Sequence, residues 1–197
     1  MQNATLTLED ERNWLEKVLS SLLSYKEESG TFGSTEEMID EAAQRAFRIS
    51  TALGLIPGHL GMATILPEIA ALTKLQINLI YRIAKYHGQE EKFNKELVLL
   101  ILGNATGVAV GEIVLRRVGT ALVVRSVNAR VTRALARKIG ARIINRAAER
   151  AVARWIPMAA APLFGYLSRS LTKRIGREAQ RLFSQEIETE AAEGTAP

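Results

Sequence analysis

One carboxylate stands alone in the most apolar part of the chain. Glu68 follows Pro67 directly and is the only acidic residue between Glu41 and Glu90. One interpretation is a buried carboxylate that pairs with an arginine or lines a polar cleft. Another is an acid at a helix start, stabilised by the unpaired backbone N–H groups there. A remote third is a hydrolase-type enzyme centred on Glu68, and the sequence leaves all three open.

Two more polar residues follow Glu68 at helical spacing. Thr73 and Gln76 are three residues apart, and Gln76 lies about two helical turns after Glu68. These positions form a polar line along an otherwise apolar helix. They predict either a hydrogen-bond network between helices or the less buried side of one helix.

The residues needed for other kinds of chemistry are scarce. The chain has no cysteine and only two histidines, His59 and His87. Because a structural zinc site needs four nitrogen or sulfur ligands, we predict no metal site and no cofactor. The sequence also lacks the G-x-S-x-G motif of a nucleophilic serine and the G-x-x-x-x-G-K-[ST] phosphate-binding loop. A non-enzymatic protein is therefore favoured.

Basic residues are concentrated in the last part of the chain. Residues 1–48 contain 10 acidic and 5 basic residues, whereas residues 113–181 contain 16 basic and 2 acidic residues. Apolar residues recur every four positions in 119–154, which predicts a long amphipathic helix, broken near Gly140. Its other faces carry seven arginines: Arg130, Arg133, Arg137, Arg142, Arg146, Arg150 and Arg154.

This arginine-rich face has three interpretations: contact with anionic lipid headgroups, a solvated or internally paired surface, and contact with nucleic-acid phosphates. Nucleic acid is the least favoured, because residues 94–154 contain no aromatic side chain for base stacking. Trp155, Phe164 and Tyr166 follow the basic run. Since Trp and Tyr accumulate at membrane interfaces, this order favours an anionic lipid surface.

Three charge-free or nearly charge-free segments, 49–67, 97–115 and 155–168, are expected to insert into a membrane or lie against it. The first has 19 residues without Asp, Glu, Lys or Arg, close to the roughly 20 that span a bilayer. Its Gly and Pro residues predict a broken element, followed by a helix that begins at Pro67 and ends near Gly88.

Glycines recur every fourth residue in a helix predicted at 92–118. Gly103, Gly107 and Gly111 would form one smooth groove, as in helices that pack closely in membranes or in tight soluble bundles. The same groove would allow a homo-oligomer.

The chain as a whole predicts an all-α protein, a multi-helix bundle with broken Gly/Pro-rich apolar helices. Residues 1–34 are expected to form an acidic amphipathic helix and linker. Residues 35–184 form the helical domain, which opens with a capping box at Ser34 and Glu37. Residues 185–197 are expected to form an acidic, disordered tail. No stretch shows strand alternation of useful length.

Two stretches resemble a known family. The segment LIPGHLGMATILPEIAALTKLQINLIYRIAKYHG is similar to the EcsC-like family and to the related YcjF-type domain of bacterial membrane-associated proteins. The matching positions are Pro67, Glu68, Ala70, Ala71, Leu72, Thr73, Gln76 and Gly88. The later WIPMAAAPLFGYLSRSLTKRIGREAQRLF resembles the closing element of that domain, although residues 158–161 replace its usual glycine-rich turn. The resemblance covers about residues 40–184 and implies an α-helical, cytoplasmic or inner-membrane-associated protein.

These observations predict a non-enzymatic helical protein, peripheral to or partly inserted in the cytoplasmic side of the inner membrane. Its arginine face would contact anionic lipid headgroups. The N-terminus has no basic start or apolar run of a signal peptide, which favours the cytoplasm. The alternative is a soluble helical binding module for an acidic protein partner.

Overall fold

The computed structural model describes residues 33–56, 64–110, 115–118, 121–153 and 161–189. These ranges are mostly helical, which confirms the predicted helical bundle. The helices are α1 (Thr35–Gly54), α2 (Ile65–Tyr86), α3 (Lys95–Thr106), α4 (Ala129–Ala153) and α5 (Ala161–Phe183), with a 3-10 turn at Glu90–Lys92. Three short strands accompany them: β1 (Leu115–Val118), β2 (Ala121–Val124) and β3 (Ile187–Thr189).

Local capping signals explain where three of the helices begin, and the first of them, at Ser34, is predicted from the sequence. The Ser34 hydroxyl accepts a hydrogen bond from the Glu37 N–H at 3.3 Å, and the Glu37 carboxylate accepts one from Gly33 N–H at 3.1 Å. This pair caps α1. In α2, Pro67 lies in the first turn, where its missing N–H leaves no bond unmade. At the start of α3 the Asn94 side chain accepts from Leu97 N–H at 2.9 Å.

The predicted helix at 92–118 is wrong beyond Thr106. Gly107 adopts a left-handed conformation with φ of 78°, which ends α3 and turns the chain back on itself. The buried Gly103 then meets Val108 and Val110 of its own chain rather than a second helix. Gly103 and Gly107 therefore do not form one groove, and Gly111 lies outside the described residues.

A small sheet corrects the expectation that the chain has no strand. β1 and β2 are antiparallel with Leu115 opposite Val124, and β2 and β3 are parallel with Leu122 opposite Ile187. The helix predicted at 119–154 thus begins only at Ala129, and the expected loose tail contributes β3. Strands of three or four residues are too short for alternation to identify them, and β3 pairs with a segment far away in the sequence.

The core surrounds α3. Leu97, Val98, Leu99, Leu100, Ile101 and Leu102 are all fully buried. A helix that is apolar on every side must be covered on every side, and α4 and α5 both pack against it.

Helix α1 runs antiparallel to both α2 and α5. Near its start, Glu41 accepts from Arg82 of α2 at 3.0 Å, and Asp40 pairs with Lys173 of α5 at 2.6 Å. Near its end, Ser50 contacts the beginning of α2 and of α5. The last turn of α1 and the first turns of α2 and α5 therefore lie together at one end of the bundle.

Candidate functional site

The isolated carboxylate of the sequence lies inside the bundle. Glu68 is 7% exposed, and the Ser50 hydroxyl donates to its Oε1 over 2.7 Å. The Ser50 and Ser168 hydroxyl oxygens are 2.6 Å apart. Because Ser50 has only one hydroxyl proton, which goes to Glu68, Ser168 is the donor in the second bond. One chain of hydrogen bonds thus joins α1, α2 and α5.

The rest of the predicted polar line faces the same interior. Thr73 is 1% exposed and Gln76 is 4% exposed. The Gln76 amide donates to the Thr172 hydroxyl of α5 at 3.2 Å. The line therefore faces neighbouring helices rather than solvent. We call Ser50, Glu68, Thr73, Gln76, Ser168 and Thr172 the polar layer.

A cavity of about 50 Å³ adjoins the polar layer. That volume holds a few water molecules, and buried water needs polar partners of the kind found here. Arg146 of α4 shares the cavity wall with Glu68, so among the arginines of the predicted basic face whose side chains are described, Arg146 reaches the level of the carboxylate. The wall is formed by Ile65, Glu68, Ile69, Leu72, Thr73, Gln76, Thr106, Ile143, Arg146, Phe164, Ser168 and Leu171.

Close approach of α1 and α5 makes the bonds of the polar layer possible. A Cβ atom at Gly165 would lie 2.8 Å from the Phe47 ring, and one at Gly176 would lie 2.6 Å from the Ile39 side chain. Helix α5 presents small residues at spacings of three and four, namely Gly165, Ser168, Thr172, Gly176 and Ala179. Sequence reasoning missed this series, although its spacing was a visible signal.

Exposed apolar side chains gather at the end of the bundle where α1 finishes and α5 begins. Leu55 is 50% exposed, Leu163 55%, Tyr166 63% and Leu167 37%. We call this group the apolar end. The charge-free segments 49–67 and 155–168 both lead to it, although residues 57–63 and 154–160, including Trp155, lie outside the described residues.

Phe164 does not belong to this exposed group. It is 3% exposed and forms part of the cavity wall, so its predicted place at a membrane interface is wrong. Successive residues of a helix are about 100° apart, which places Phe164 and Tyr166 on nearly opposite sides of α5. Tyr166 faces out and Phe164 faces in.

The arginines of α4 lead from one end of the bundle toward the apolar end. Arg146 is half-buried, and it shares a cavity wall with Ile65 and Phe164 from the first turns of α2 and α5. Arg150 lies in the last turns of α4, and Arg154 lies outside the described residues. The remaining members of the predicted face are exposed: Arg130, Arg133, Arg137 and Arg142.

The acidic side chains of α1 lie toward the opposite end. On α1 they occupy only residues 36–41. There Lys173 donates a hydrogen bond to Asp40 and holds the pKa of that carboxyl below its ordinary value. Among the side chains that the structure describes, Glu68 is the one acid near the apolar end, and it is buried. The described surface of that end is therefore apolar and basic.

The described residues contain neither a membrane-spanning helix nor a metal-binding group, and none of the known proteins compared with the chain matches it. Within the described ranges, no helix has the length and apolar content needed to cross a membrane. No group of three or more metal-ligating side chains occurs among those same residues. Comparisons with protein-family models, curated proteins and solved structures found no match. The resemblance to the EcsC-like family stays a prediction.

Proposed function

We propose that this protein is a non-enzymatic, peripheral membrane protein that docks onto the cytoplasmic face of an anionic bilayer. The observation that supports this most is the apolar end, where exposed Leu and Tyr side chains lie at the same end of the bundle as the last turns of the basic helix α4. The apolar side chains would enter the headgroup region, and the arginines of α4 would contact lipid phosphates.

The two contributions are of comparable size. Burying apolar surface yields about 25 cal/mol per Å², so a few Leu and Tyr side chains together contribute several kcal/mol. Each arginine close to an anionic surface adds roughly 1 kcal/mol. Tyrosine suits the boundary, because its ring is apolar and its hydroxyl remains hydrated. Binding should therefore need both the apolar end and anionic lipid.

Removing the apolar surface should abolish most of the binding. We expect the double variant Tyr166→Asp with Leu167→Asp to bind at least tenfold more weakly to vesicles of phosphatidylcholine and phosphatidylglycerol. Both side chains are exposed, so the fold should be retained, and the new carboxylates would repel the anionic surface. Co-sedimentation at low salt measures the change, and circular dichroism verifies the helix content.

Tyr86 provides a matched control. It is 50% exposed, like Leu55, but it ends α2 at the opposite end of the bundle. Tyr86→Asp should therefore leave vesicle binding unchanged. Equal losses in the two variants, or a wild-type chain that ignores anionic vesicles, would refute the proposal and favour a soluble module for an acidic protein partner.

The closer an arginine of α4 lies to the apolar end, the more its replacement should weaken vesicle binding. Arg142 and Arg130 are both exposed, and 12 residues of helix separate them by about 18 Å. Because the Debye length is about 10 Å at 0.1 M salt, we expect Arg142→Glu to weaken vesicle binding five- to thirtyfold. Arg130→Glu should change it less than twofold. Vesicle titration at 0.1 M salt tests this order, and identical effects of the two reversals would contradict it.

A further inference from the structure

A second basic surface lies on α5, away from the apolar end. Arg174, Arg177 and Arg181 follow one another at spacings of three and four residues, so they share one face of the helix. They line an open recess of about 320 Å³ whose other wall is the last turn of α3, at Asn104 and Ala105. This volume lies within the range of small-molecule binding sites.

Glu178 fixes one wall of the recess. Its carboxylate accepts two hydrogen bonds from the Arg181 guanidinium, at 2.6 and 3.0 Å, and a third from the Asn104 amide at 2.8 Å. These donors, Arg181 first, hold the pKa of Glu178 below its ordinary value. Glu178 is therefore ionised and fully engaged. It links α5 to α3 and neutralises Arg181.

Arg174 and Arg177 remain without such a partner. Among the described residues, neither makes an ion pair or a side-chain hydrogen bond, and both are exposed. The nearest influence is that of Arg177 on Asp40, whose carboxylate is already bonded to Lys173. Two like charges three residues apart destabilise a helix slightly, so the fold itself does not require this pair.

The carboxyl end of α3 also lines the recess. A helix end of this kind carries roughly half a negative charge. Two full positive charges outweigh it. The recess therefore presents two adjacent guanidiniums with hydrogen-bond donors to spare, an arrangement suited to the several oxygen acceptors of a phosphate group.

From this geometry we infer that the recess between α3 and α5 binds a phosphate group. The group belongs either to a soluble phosphorylated molecule or to the headgroup of a lipid with a terminal phosphate. The inference uses none of the residues of the apolar end or of α4, so it stands or fails separately from membrane docking.

Calorimetric titration of the full chain with pyrophosphate tests the soluble source. We expect saturable binding at low salt that Arg174→Ala with Arg177→Ala weakens at least tenfold. The matched control is Lys85→Ala with Lys95→Ala, which removes the same charge from exposed positions on α2 and α3 and should change the affinity less than twofold. If both double variants weakened pyrophosphate binding equally, the effect would come from net charge alone and the inference would be overturned.

Vesicles test the lipid source. Phosphatidic acid carries a terminal phosphate, whereas phosphatidylglycerol carries a phosphodiester. Suppose that pyrophosphate does not bind, that the wild-type chain prefers phosphatidic acid, and that the Arg174/Arg177 double variant loses this preference. The site would then be assigned to a lipid headgroup. If neither pyrophosphate nor phosphatidic acid binding depends on this pair, no phosphate site exists here. The Tyr166/Leu167 variant should leave pyrophosphate binding intact.

Discussion

Replacing Glu68 by alanine is expected to lower the free energy of unfolding by about 2–4 kcal/mol. The change removes the acceptor of the buried Ser50 hydroxyl, and a buried donor left without an acceptor costs about 1–3 kcal/mol. It also enlarges a cavity of about 50 Å³ that the bundle already contains. Urea unfolding followed by circular dichroism measures the loss.

Two comparison variants separate the contribution of an acid at a helix start from that of the buried hydrogen bond. Glu36 lies in the first turn of α1 and is exposed, so Glu36→Ala reports only the favourable position of an acid at a helix start, about 0.3–1 kcal/mol. Glu68→Gln keeps the shape and one acceptor for Ser50, and we expect it to fall between the two alanine variants. If Glu68→Ala destabilised the protein no more than Glu36→Ala, the helix-start interpretation would suffice and the polar layer would contribute nothing.

The sequence indicates Glu68 because an isolated acid in an apolar stretch is visible without a structure. Its partners are not visible in the same way. Ser50 and Ser168 lie 18 and 100 positions away from Glu68, and serine is too common in the chain for its type alone to be informative. Only the antiparallel packing of α1 against α2 and α5 brings the three side chains together.

The glycine series shows how regular spacing misleads. Gly103, Gly107 and Gly111 repeat every fourth residue, as a packing groove does, yet Gly107 ends α3 in a left-handed conformation. Spacing alone does not distinguish a glycine that admits a neighbouring helix from one that admits a positive φ. The series that does admit a neighbouring helix, on α5, mixes Gly with Ser and Thr and so looks less regular.

The aromatic residues after the basic run show what periodicity does predict. The order of residues along the chain predicts one interface for Phe164 and Tyr166, but two residues of helix turn the side chain through about 200°. An amphipathic α5 therefore requires one of them to be buried. The surface that supports membrane docking also draws on Leu55, which is remote in sequence and joins Tyr166 only because α1 and α5 run antiparallel.

The close approach of α1 and α5 predicts a second large effect. Gly165→Val is expected to lower the free energy of unfolding by about 2–4 kcal/mol, in the upper range for overpacking, because its side chain would overlap Thr51 Oγ1 and the Phe47 ring. Ala134→Val places the same β-branched side chain on the exposed surface of α4, where only its lower helix propensity counts, and should cost less than about 0.7 kcal/mol. Urea denaturation midpoints of the two variants give the comparison.

A double-mutant cycle locates the strain at Gly165. Thr51 Oγ1 is buried and has no hydrogen-bond partner among the described atoms, so Thr51→Ala alone should be nearly neutral. Gly165→Ala alone has two opposing effects on the free energy of unfolding. The higher helix propensity of alanine adds about 1 kcal/mol, and the overlap of the new Cβ with α1 lowers it. Combining the two substitutions should recover at least 1 kcal/mol through coupling, because the missing hydroxyl leaves room for the new methyl group.

Additive effects would show that α5 moves away from α1 instead. In that case the Ser50–Ser168 bond should break, and Ser168→Ala should cost nothing further in the Gly165→Ala background.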